Sequence, residues 1–201
     1  RRPLPYPPPD AGAFRASNPS RRASRTVSGA TRFQLNAVAM SPDGETVAVG
    51  GHTGWTWDRK VAIYLFERGS GRLQQRVEGL SSTIQGLGYS PDGRWLAATL
   101  HNGELWLFDA HGGYARAGRD SDCKADSHSV QFGADSQHLL TSCFDGQLRV
   151  YSVAADGRLA TPLRGRPGGG GQPFAARFSP RGDLIAVGFR DSTVVQVLDG
   201  Q

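Results

Sequence analysis

Beyond residue 33 the apolar residues of this chain come in short runs, and the runs recur in a fixed order around a polar tetrad. The tetrads are Ser41-Pro42-Asp43-Gly44, Ser90-Pro91-Asp92-Gly93, the degenerate Gly133-Ala134-Asp135-Ser136, and Ser179-Pro180-Arg181-Gly182, at offsets of 49, 43 and 46 residues. Each follows an apolar run, such as Ala37-Val38-Ala39-Met40 or Leu87-Gly88-Tyr89, and precedes another, such as Val47-Ala48-Val49-Gly50 or Leu96-Ala97-Ala98-Thr99. A turn then comes, Asn102-Gly103 or Asp145-Gly146, whose positive φ suits a hairpin. A third run (Leu105-Trp106-Leu107-Phe108, Leu148-Arg149-Val150-Tyr151) and a weaker, polar fourth (Leu73 to Val77, Leu159 to Leu163) complete the unit. Four strands per period, joined by hairpins, predict a β-propeller blade. The first three strands are apolar on both faces, which suits sheets sandwiched between neighbours, and the polar fourth belongs at the rim.

Composition agrees with an all-β fold: 27 Gly and 12 Pro stand against one Met and 38% hydrophobic residues. No run is long enough to span a membrane, and no apolar leader is visible, so a cytoplasmic location and no membrane partner are expected. Residues 1–20, rich in Pro, Arg and Ser, read as a disordered basic tail; four repeats follow at about 21–67, 72–110, 114–153 and 158–200. The net charge of +5 invites a nucleic-acid partner, yet residues 1–32 hold seven Arg and one Asp and the rest is close to neutral. With no basic cluster in the folded part, nucleic acid is not expected as its partner.

Cys123 and Cys143 are too few for a disulfide framework and match no paired metal spacing, so they read as free thiols. Asp120, Asp122, Asp126 and Asp135 form a loose acidic set, but Lys124 among them and the irregular spacing point to a solvated loop and no metal. The Gly168–Gly171 run lacks the Lys-Ser/Thr of a phosphate cradle and reads as a connector. No nucleophile elbow, zinc-helix motif or close carboxylate pair appears, so no catalytic residue and no cofactor are assigned.

The Ser-Pro-Asp-Gly turns, Asp145-Gly146 before Leu-Arg-Val-Tyr, and the Leu107-Phe108-Asp109 ending resemble WD-repeat propellers. The resemblance implies an interaction or scaffold module with structural roles for Ser41, Asp43, Gly44, Ser90, Asp92, Gly93, Asp145, Gly146, Ser179 and Gly182. The His-Asp-Ser/Thr-Trp tetrad of regular members is mostly missing; only the third repeat keeps Asp145 with Ser142 or Thr141. Segments such as Gly51 to Asp58 and Val195 to Gly200 are similar to WD-repeat regions of bacterial proteins that also carry a caspase-like peptidase or a signalling NTPase. WD-repeat rings usually have about seven blades. Four repeats therefore predict an open arc of a larger propeller, with residues 21–28 resembling an outer strand for the last unit.

The first unit carries seven extra residues between its second and third strands, containing Trp55, Trp57, Asp58 and Arg59. Large rings beside charges are the chemistry of binding hot spots, so this insertion is expected to project at the rim and contact a protein partner. A propeller enzyme would converge His, Glu or Asp on the axis, where this sequence has Ala, Val, Gly and Phe. An enzymatic propeller or a periplasmic one of the TolB type is the alternative.

Overall fold

The computed structural model describes residues 34–53, 61–168 and 171–200. They form four antiparallel meanders. The first sheet holds β1 (Gln34–Met40), β2 (Thr46–His52), β3 (Ala62–Glu67) and β4 (Leu73–Glu78). The second holds β5 (Ile84–Tyr89), β6 (Trp95–Leu100), β7 (Leu105–Asp109) and β8 (Ala115–Asp120). The third holds β9 (Ser127–Phe132), β10 (His138–Cys143), β11 (Gln147–Ser152) and β12 (Leu163–Gly165). The fourth holds β13 (Pro173–Phe178), β14 (Leu184–Phe189) and β15 (Val195–Asp199). Among the described residues there is no helix, and none is long and apolar enough to cross a membrane.

The tetrads make the turns between first and second strands. In the first, the Ser41 hydroxyl donates to Asp43 and accepts the Thr46 N–H at 2.9 Å, while Asp43 accepts the Glu45 N–H at 2.9 Å. Ser90 and Asp92 repeat this around Trp95 and Arg94. In the fourth turn Arg181 stands where the acid would be, and Ser179 reaches Asp183 instead, at 2.6 Å. Gly44, Gly93 and Gly182 end these turns at positive φ; the third turn has no Gly there, and Ser136 is forced to φ 61°. Gly146 holds the same left-handed backbone in the hairpin after Asp145.

Because successive strand residues point to opposite faces, each central sheet serves two cores. On β6, Leu96, Ala98 and Leu100 face the first sheet while Trp95 and Ala97 face the third; on β7, Trp106 and Phe108 divide from Leu105 and Leu107 in the same way. Leu139 of β10 joins the second sheet's core, and its neighbour Leu140 packs with Ile185 and Val187 of the fourth. The innermost strands β1, β5, β9 and β13 lie side by side. Their approach is close: a Cβ on Gly86 would come within 2.7 Å of the His128 carbonyl oxygen. The outer strands β4, β8 and β12 carry mostly exposed side chains.

The four sheets form an open arc of propeller blades, not a closed ring. Val38 of β1 and Val195 of β15 are 68% and 69% exposed at its two ends. The fourth sheet has three strands among the described residues, and residues 21–28, expected to supply another, lie outside them. So do the tail, Trp55, Trp57, Asp58 and Arg59 of the insertion, and Gly169 and Gly170 of the connector.

Two expectations are corrected. Cys123 and Cys143 are not free thiols but a disulfide, with Cα atoms 6.0 Å apart. The loop between β8 and β9 folds over the end of β10, where Cys143 pairs with Ser127, and this brings residues 20 positions apart together. Nor is the acidic loop simply solvated. Asp122 pairs with Arg149 and Arg164, Asp120 accepts the Tyr151 hydroxyl, and Asp126 and Asp135 pair with His101 and His138.

Candidate interaction face

One end of the arc is built by a repeated backbone device. In every sheet the start of the innermost strand pairs with the end of the second: Gln34 with His52, Ile84 with Leu100, Ser127 with Cys143, Pro173 with Phe189. At this end each innermost strand slips register by one residue, and the extra residues are Asn36, Gln85, His128 and Phe174. A bulge of this kind re-aims its side chain out of the alternating pattern. A second position joins it. The residue just after the second strand donates its N–H back to the loop ahead of the innermost strand: His101 to Thr83, Phe144 to Asp126 and Arg190 to Gln172, each at 2.9 Å.

These positions meet in a line across the sheets. The Asn36 amide donates to the Gln85 side-chain oxygen at 3.2 Å, and the Gln85 amide meets His101 Nδ1 at 3.3 Å. His101 also faces Asp126 at 3.1 Å. The line then turns aromatic: His128 stacks on Phe144 and on Phe174, with centroids 4.3 and 4.7 Å apart, and Arg190 lies over the Phe144 ring at 5.3 Å. Phe174 is 45% exposed, so the slab is open to a partner. Burial holds the His128 pKa below its ordinary value, with His101 and Arg190 adding to the effect against Asp126, so the ring is neutral at pH 7.

Beneath this face the second and third sheets replace the usual tetrad with other chemistry. Trp106 of β7 donates to Glu104 at 2.8 Å, and Ser81 and Arg119 bind the same carboxylate at 2.6 Å each. Burial opposes ionisation of Glu104, but these three donors outweigh it and hold its pKa below the usual value. At the matching place on β11 stands Arg149, whose side chain is 2% exposed. It is clamped by Asp122 at 2.7 Å and Asp145 at 2.6 Å. Hydrogen bonds from Arg164 and Arg149 pull the Asp122 carboxyl down to about 2. Asp145 and Ser142, two of the residues kept from the tetrad, have different partners. Asp145 serves Arg149, while Ser142 accepts the Ser129 N–H at 3.1 Å and donates to the Phe174 carbonyl at 3.0 Å, bracing the bulges.

The sequence reading missed Asn36, Gln85, His101, His128, Phe144, Phe174 and Arg190. The available signal was positional: each of the last five holds a chemically distinctive residue at one of two repeat-equivalent sites.

Bulged innermost strands, two-faced sheets and exposed outer strands define a segment of a WD-type β-propeller. The model of the WD domain, G-beta repeat, matches residues 122–152, which span Asp122, Cys123 and β9 to β11. The chain is 28% identical to WD repeat-containing protein 1-B of Xenopus laevis over 131 residues, 65% of this chain and 21% of that protein. It is 28% identical to the LST8 homolog of Drosophila melanogaster over 129 residues, 59% of this chain and 38% of that one. Hydrazine synthase subunit beta of Kuenenia stuttgartiensis is 26% identical over 164 residues, 81% of this chain and 35% of its own. The chain thus spans about a fifth to two fifths of these relatives. With the repeat pattern and the blades, these matches make the chain similar to the WD-repeat family.

Proposed function

We propose that this chain is a non-catalytic interaction module and that a protein partner docks on the face lined by Asn36, Gln85, His101, His128, Phe144, Phe174 and Arg190. The open aromatic slab carries this reading. Stacked rings, with the Arg190 guanidinium over Phe144, give a partner apolar area and a directional charge at low entropy cost. Trp55, Trp57, Asp58 and Arg59, which lie outside the described residues, remain candidate partner contacts on their chemistry alone. A scaffold role for a larger protein, with a peptidase or NTPase domain attached, fits the same reading. A cytoplasmic location fits less well, because reducing thiol pools keep pairs like Cys123 and Cys143 open.

A photo-crosslinking residue placed at Phe174 in one variant and at Leu163 of β12 in another tests the face. Both side chains are exposed, so both variants should fold. Cross-links to one discrete protein from position 174 and none from 163 support the reading. Cross-links from 163 alone overturn it.

A further inference from the structure

The disulfide lies directly under the aromatic slab. Cys143 is followed by Phe144, and Cys123 lies in the short loop 121–126 that leads to His128. Cys143 also pairs with Ser127 at the point where β9 slips to present His128. The same loop carries Asp122, the partner of buried Arg149, and follows directly on Asp120 at the end of β8, which accepts the Tyr151 hydroxyl. In the second sheet the loop residue corresponding to Cys123 is Leu80, fully buried and held by packing and by its N–H bond to the Val61 carbonyl. In the third, the covalent bond takes that role.

We propose that the Cys123–Cys143 disulfide is a redox latch on the interaction face, closed in an oxidising setting and released by dithiol reductants. The placement of His128 and Phe144 as the partner's contacts rests on the function proposed above; the latch itself does not. Closing it removes two protons and two electrons from the thiols, which pass to a disulfide-bearing oxidant of the glutathione-disulfide class by thiol exchange. Opening it reverses this through a mixed disulfide, with the dithiol ending as the new disulfide. Cys143 is fully buried and Cys123 is 5% exposed, so a reductant reaches the sulfurs only when the loop opens. Once the bond is gone, no covalent tie remains under His128 and Phe144, and the loop is held by the ion pairs and N–H bond of Asp122 and by the Phe144 N–H to the Asp126 carbonyl.

The test uses the full chain, equilibrated with glutathione disulfide or with dithiothreitol. Thiols are counted after denaturation, and backbone hydrogen exchange is mapped without any partner. The oxidised chain should have no reactive thiol. Reduction should raise exchange at residues 121–129 and 143–146 at least tenfold while β5 to β7 stay protected. A Cys123→Ser/Cys143→Ser variant should match the reduced chain and ignore dithiothreitol, which separates loss of the latch from a reductant artefact. Two free thiols in the oxidised chain overturn the proposal, as does unchanged exchange on reduction. So does a reduced chain that binds one Zn²⁺ through Cys123, Cys143 and Asp145 and thereby regains protection, since the pair would then be a metal site. If exchange responds but position 174 gives no cross-link, the latch stands and the docking face falls.

Discussion

At the scale of single residues, Arg149 is the most exacting feature of the interior. A guanidinium taken almost wholly out of water is tolerable only because two carboxylates meet it with good geometry. Replacing it by Met should cost about 3 kcal/mol, because two acids are left facing a buried, uncharged side chain. Arg158→Ala, which breaks an exposed pair with Asp156, should change stability by less than about 0.5 kcal/mol. Urea unfolding of both variants checks the contrast, and equal effects would contradict the role given to Arg149.

Ser136 weighs one effect against another. Its left-handed backbone is strained, yet its hydroxyl accepts the Asp92 N–H at 3.0 Å and ties the second sheet's turn to the third's. Gly would relieve roughly 1 kcal/mol of strain and lose a hydrogen bond of similar worth. Ser136→Gly should therefore be nearly neutral, while Ser136→Ala, which keeps the strain and loses the bond, should cost about 1 kcal/mol. Thermal midpoints of the pair decide the matter; a clearly destabilised glycine variant would mean that the strain is small.

At the scale of elements, most strands were legible because period-2 packing and turn chemistry are local. The outer strand of the third sheet was not. The run Leu159 to Leu163 was expected to form it, but Leu159 makes only an isolated bridge to Val153, Pro162 has no N–H to give the ladder, and β12 begins at Leu163. The repeats 72–110, 114–153 and 158–200 each begin with the outer strand of the sheet before, as β4 pairs with β3. The aromatic slab, the Arg149 clamp and the disulfide were illegible for a different reason. Each joins loops and strand ends from different hairpins, such as Asp122 with Arg149 or His128 with Phe174, and no window of sequence shows that meeting.

The third sheet should also be the acid-sensitive element. Asp122 has its pKa depressed in the folded chain, so its contribution is present above the ordinary carboxylate value and is lost as pH falls through the folded one. The window runs from about pH 4 down to about pH 2. Stability measured across it should fall more steeply for the parent chain than for Asp122→Asn, which is weaker at neutral pH but has less to lose. Parallel curves would assign the acid response to other groups.

For the whole molecule, the open arc leaves apolar strand faces at both ends, with Leu35 and Val38 on β1 and Val195 and Val197 on β15. Exposed apolar area beside an unpaired strand edge drives association. Sedimentation of the isolated chain should therefore show concentration-dependent dimers or larger species, and Val195→Lys/Val197→Lys should reduce them. A monodisperse monomer at every concentration would argue that these faces are covered in solution.

The shared bulge has a consequence for how such a chain can change over generations. Asn36, Gln85, His128 and Phe174 are an amide, a longer amide, an imidazole and a phenyl ring in four copies of one backbone slot. The slot tolerates this range because its side chain leaves the two-faced packing that fixes its neighbours. Selection can then rewrite the recognition surface one blade at a time while the cores between the blades stay constant, so a new partner need not cost the old architecture.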